Sequence, residues 1–191
     1  MWTSINKKLY LFLGIIFTIG IILGVIFLIY LDESSKELIL LNINEWLQSI
    51  ESSHINNIIP HIVILSSLFI LSLFIIGIPF VLFFVFYNGF SIGFMITSLI
   101  NIFGIKGLLY GIMYVLITKG IYLFFLSIFI MSLIKIANLF IKRIFSGERI
   151  SKDNLSLLLK RIFICIAAIL ISDIILYLGG AKLITIFNFL L

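Results

Sequence analysis

Charge is scarce in this sequence. Asp, Glu, Lys and Arg make up only 11% of its 191 residues, against about 25% in a soluble domain. Cysteine occurs once, so Cys165 excludes an intramolecular disulfide and a cysteine-based metal cluster. Set among apolar residues, it reads as a packed core thiol. The two prolines, Pro60 and Pro79, lie close together and leave the other segments unbroken by that residue. The two histidines, His54 and His61, flank Pro60 and read as solvated rather than catalytic. No His-Glu-x-x-His pair, Gly-x-Ser-x-Gly elbow or Gly-x-x-x-x-Gly-Lys loop occurs. No enzyme, metal or cofactor is expected on these grounds.

What fills the chain instead is apolar: 63% hydrophobic residues and a mean hydropathy of +1.34. From Ile62 to Ile105 there is no Asp, Glu, Lys, Arg or His. That run is long enough for two bilayer crossings of ~20 residues each. It is punctuated by Gly77-Ile78-Pro79 and by Tyr87-Asn88-Gly89-Phe90-Ser91-Ile92-Gly93. Breaks of this kind are tolerated in lipid only where protein takes over the freed backbone groups. The expected fold is all-α: a polytopic transmembrane helical bundle of about five spans, forming one integral membrane domain, with a broken or re-entrant central helix pair.

Those spans are expected at about 9–31, 62–80, 82–105, 108–134 and 162–180. The first is too long for a signal peptide core and has no small-residue cleavage site after it, so it is read as an anchor. Residues 32–60 carry five carboxylates against Lys36, a net of −4. Residues 135–161 carry seven cationic side chains against Glu148 and Asp153, a net of +5. Because Lys and Arg collect on the cytoplasmic side, the N-terminus and 135–161 are expected in the cytoplasm. The 32–60 loop and the C-terminus are then extracytoplasmic, in a prokaryotic inner membrane. An even number of crossings must separate the two basic segments, so the uncharged run must cross twice. It does so with difficulty: Ile62–Ile76 rises about 22 Å and Phe90–Ile105 about 24 Å, both short of ~30 Å.

Within 32–60, Ser34 or Ser35 is a candidate cap for a helix with Ile39, Ile43, Trp46, Leu47 and Ile50 on one face. Trp46 suits a helix lying flat at headgroup level; packing on the ends of the spans is the equal alternative. The basic segment has few aromatics for stacking bases, so it fits anionic lipid better than nucleic acid. Gly20/Gly24, Gly89/Gly93 and Gly107/Gly111 are each spaced four apart, a pattern that lets helix backbones approach. It serves a compact bundle or a partner interface equally. Lys119 and Asp173 fall near the middle of the last two spans, where a charge costs on the order of 3 kcal/mol or more unless it is partnered. A Lys119–Asp173 ion pair is expected, as a register lock or as a proton or ion relay with Tyr114, Thr118 and Tyr122 facing it.

Gly77-Ile78-Pro79, Tyr87-Asn88-Gly89-Phe90-Ser91-Ile92-Gly93 and Gly104-Ile105-Lys106-Gly107, in that order, resemble the stage II sporulation protein M family. The resemblance implies a polytopic, non-enzymatic membrane protein. It also implies a platform for extracytoplasmic peptidoglycan-remodelling partners. The family's Pro-His-Gly or Pro-Gln-Asn element matches Thr118-Lys119-Gly120 here, which keeps the glycine and loses the proline.

Two functions follow. The first is a scaffold or assembly factor with Trp46 and Glu51 at the docking site. The second is a small transporter or channel subunit using Lys119 and Asp173, which would need a homo-oligomer. Gly77, Pro79, Asn88, Gly89, Gly93, Gly107, Gly111 and Gly120 are expected to serve helix packing or the fold-back.

Overall fold

The structure is a computed structural model that describes residues 7–49, 58–74, 77–147 and 151–190. Helices account for nearly all of them: α1 (Lys7–Ile29), α2 (Glu33–Ser49), α3 (Ile58–Ser72), α4 (Gly77–Phe103), α5 (Ile105–Tyr114), α6 (Gly120–Ser146) and α7 (Lys152–Leu190). A π-helical turn, Val115–Lys119, joins α5 to α6. Helices α1, α4 and α6 and the stretch Lys152–Ile174 of α7 are long and apolar enough to cross a membrane. The chain is thus built as an all-α, multi-pass membrane protein.

Several expected boundaries move. The motif from Tyr87 to Gly93 is no break: α4 runs through it without interruption. Its polar residues are absorbed locally. Asn88 donates to the Phe84 carbonyl at 2.8 Å, Thr97 to Gly93 at 2.9 Å and Ser98 to Phe94 at 2.8 Å. Each side chain satisfies itself one turn back, so none needs a bend or a water. The break lies only before Gly77, where the Leu73, Phe74 and Gly77 amides each donate to the carbonyl three residues back. A Cβ on Gly77 would collide with the Leu71 carbonyl and the Ser72 backbone. Pro79 then sits in the first turn of α4, where its missing N–H costs nothing. As a result α3, at 15 residues, rises about 22 Å and α4, at 27, about 40 Å.

The expected basic loop at 135–161 is not a loop. Helix α6 continues to Ser146 and ends on Gly147 in the left-handed region (φ 65°), a conformation suited to glycine. Helix α7 begins already at Lys152. The cap of α2 is also not Ser34 or Ser35 but Asp32. Its carboxylate accepts from the Ser34 hydroxyl at 2.6 Å and the Ser35 amide at 3.0 Å, while its carbonyl accepts the Lys36 amide at 2.9 Å.

The chain sorts into two compact units: Met1–Gln48 with Leu82–Val115, and Ser49–Val81 with Leu116–Leu191. The first unit is held by glycine. Helix α1 buries Leu13, Gly20, Gly24 and Leu28, a stripe at helical spacing. A Cβ on Gly20 or Gly24 would strike the Phe86 or Phe90 carbonyl of α4. On Gly89 or Gly93 it would strike the Phe17 or Ile21 carbonyl of α1. The two glycine pairs therefore face each other, and the Phe27 ring closes the contact against Phe90 and Phe94 at 5.6 and 6.3 Å. Gly104 (φ 63°) turns the corner into α5. Gly107 and Gly111 then lay α5 back along Leu99 and Ile96 of α4.

The second unit interlocks side chains instead. Leu158, Ile162, Cys165 and Ile169 form the buried stripe of α7, against Leu126, Phe129, Leu133 and Ile136 of α6 and Leu65 and Leu68 of α3. Gly120 takes no part, since a Cβ there would meet nothing within 4 Å. Its expected packing role is not seen.

Gly89→Ala and Gly93→Ala should each destabilise the protein by about 1–3 kcal/mol through overpacking. Gly14→Ala, where the site is open, should be neutral or slightly stabilising; unfolding in mixed detergent measures all three. The hydrogen bonds from Ser34 and Ser35 lower the Asp32 carboxyl from its ordinary 3.8 to about 2. A depressed folded pKa means that the cap is fully effective above the ordinary value and is lost as pH falls through about 2. The protection factors of the Ser34–Lys36 amides should fall as pH drops from 3.8 through about 2, and should lose that dependence in Asp32→Asn.

Candidate functional site

Asp173, Lys119 and His61 come together in the second unit, but not as the expected pair. Asp173 of α7 meets His61 of α3: the imidazole Nδ1 lies 2.8 Å from carboxylate Oδ2. This contact is an ion pair only when the imidazole is protonated. Lys119, at the end of the π-helical turn, sets its ammonium over the Tyr122 ring, 5.6 Å from the centroid, within cation–π range. Tyr122 is buried, and its ring stacks on the His61 imidazole with centroids 5.4 Å apart and planes 19° apart. Three helices thus contribute His61, Lys119, Tyr122 and Asp173 to one polar cluster.

Local structure explains the placement. Pro60 opens the first turn of α3, so His61 stands at the head of an apolar helix. A π turn carries an extra residue relative to an α turn, and such turns are frequent at functional sites. Here it falls on Val115–Lys119. Asp173 follows the buried stripe of α7 one position past Ser172, which puts it beside the core rather than in it.

Burial is graded across the pair. The His61 side chain is 26% exposed and that of Asp173 11%. An ionised carboxylate only accepts, so in this contact His61 donates from Nδ1. The reading of His61 as solvated is corrected by this contact. His54 and Glu51 lie outside the described residues, as does the side chain of Trp46. Thr118 is half-buried beside Lys119, and Tyr114 belongs to the first unit.

One group is left over. The Ser172 hydroxyl is buried and has no hydrogen-bond partner among the described residues. Ser98, Thr97 and Ser132 all return their hydroxyls to the carbonyl four residues back. Ser172 does not, and an orphaned buried hydroxyl next to a carboxylate is unmet polar capacity.

The tautomer is directly testable. Nitrogen-15 spectra of the imidazole, in His54→Gln to isolate the signal, should find His61 protonated at Nδ1. Asp173→Asn should relax that preference, and Asp173→Ala should cost about 1–3 kcal/mol of stability by orphaning the ring. An unprotonated Nδ1 in the parent protein would contradict the assignment. Comparison of the chain with family models, curated proteins and solved structures finds no match.

Proposed function

We propose that this chain is a small transporter or channel subunit of a prokaryotic inner membrane, passing a proton or small cation through the His61–Asp173–Lys119–Tyr122 cluster. The observation that carries the reading is the 2.8 Å contact between His61 and Asp173, with burial increasing from the first to the second. An ionisable group among membrane helices is costly and is kept where it works. His61 can load a proton on Nε2 and release the Nδ1 proton to Asp173, the ordinary behaviour of an imidazole shuttle. Lys119 offsets the carboxylate charge when the pair is empty. The unpartnered Ser172 hydroxyl offers the next polar step along α7. With one half-length helix, a single copy encloses little, so a homo-oligomer is part of the proposal.

A second reading, a scaffold or assembly factor of the sporulation protein M type, is favoured by α2. Leu38 and Leu41 stand exposed on it, and Glu37, Leu40 and Leu41 line a shallow pocket with Ile102 of α4. An apolar patch rimmed by carboxylates is the chemistry of a docking surface. The glycines that carry the family resemblance serve helix packing here, as a rigid platform requires. In this reading α2 is extracytoplasmic, both basic segments are cytoplasmic, α3 is counted as a fifth crossing and the C-terminus is outside.

Proteoliposomes loaded with a pH-sensitive dye separate the two. The first reading expects proton flux well above empty vesicles, reduced at least tenfold in Asp173→Asn and His61→Gln. Flux equal to empty vesicles, with a photo-crosslinker at Leu41 capturing one defined envelope protein in cells, would replace it with the second.

A further inference from the structure

We infer that the tip of the α6–α7 hairpin is a binding site for the headgroups of anionic diacyl phospholipids. Helix α6 has 27 residues and α7 39, rising about 40 and 58 Å. The hydrocarbon core is ~30 Å thick, so each helix must leave it, and the end that leaves is the charged one. At that end Arg143, Lys152 and Lys160 are exposed, with Lys142 and Arg161 nearby and already engaged in other interactions. Asp153, exposed in the first turn of α7, is the one described carboxylate among them.

Charge alone would suit any polyanion. What selects lipid is the company it keeps: Ile144 is 64% exposed and Phe145 74%, directly after Arg143. Leu157 is exposed between Lys152 and Lys160. In water these side chains gain nothing. At the boundary of headgroup and acyl chain, they bury apolar surface at about 25 cal/mol per Å² while the cations reach the phosphates. The continuation of both helices through the bilayer tethers the patch at the surface and keeps the local lipid concentration high. Gly147, in its left-handed conformation, ends α6 at this patch.

The test uses the full chain in nanodiscs of phosphatidylcholine with a minor fraction of phosphatidylglycerol. Mass spectrometry then counts the lipids retained after mild detergent extraction. Phosphatidylglycerol should be retained several-fold above its share. The excess should vanish in the triple variant Arg143→Gln/Lys152→Gln/Lys160→Gln and shrink at ~1 M salt. All three side chains are exposed, so unfolding of the triple variant in pure phosphatidylcholine should match the parent and exclude misfolding. Ile144→Ser/Phe145→Ser should lower retention with the cations intact. Retention in proportion to bulk lipid, an excess that survives the triple variant, or full displacement by soluble glycerol phosphate would each overturn the inference.

Discussion

Lipid provides no hydrogen-bond partner, and most of this architecture follows from that constraint. Backbone groups are satisfied by making nearly everything helical. Polar side chains are satisfied by turning them back on their own helix, as Asn88, Thr97, Ser98 and Ser132 do. A carboxylate cannot be treated this way, because a helix presents carbonyls and no spare donors. Asp173 therefore needs a donor from another helix, and His61 supplies it. The polar cluster is the price of keeping one acid on α7, and Ser172 beside it is the place where local satisfaction was not adopted.

The same constraint removes the usual drive for association, since an apolar helix face is as content in lipid as against protein. The two units meet this differently. In the first, glycines bring the backbones of α1 and α4 close enough for dispersion and carbonyl contacts to act around Gly20, Gly24, Gly89 and Gly93. In the second, the contact is made by interdigitated Leu, Ile and Phe, with the His61–Asp173 bond as its directional element. One mode tolerates almost no added atom; the other depends on shape and on one proton.

Much of the first unit was legible in the sequence. The three glycine pairs, spaced four apart, mark its helix contacts, and the short-arm argument foretells an α3 too brief to span the core. Misreadings came where identity was taken for conformation. Tyr87 to Gly93 looks like a break because Asn and Gly favour turns in water. In an apolar helix the amide finds the Phe84 carbonyl and the glycines find α1. The Lys119–Asp173 pairing rested on matched positions in predicted spans whose boundaries then moved: α6 and α7 extend into the supposed basic loop. His61 was discounted because a polar loop precedes it, and what it faces across three helices has no local signature.

Both units are assembled from distant pieces of chain, and this sets a timetable for their making. A ribosome adds about 5–20 residues each second. Helix α1 leaves it with Gly20 and Gly24 exposed, and the partner glycines of α4 follow only several seconds later. His61 and Asp173 are 112 residues apart, so the imidazole enters the membrane roughly 6 to 20 s before its carboxylate exists. During that interval α3 is a short helix with an unmatched ring nitrogen and no α7 to hold it. The order of synthesis therefore leaves His61 without its carboxylate for longer than Gly20 and Gly24 wait for the helix they pack on.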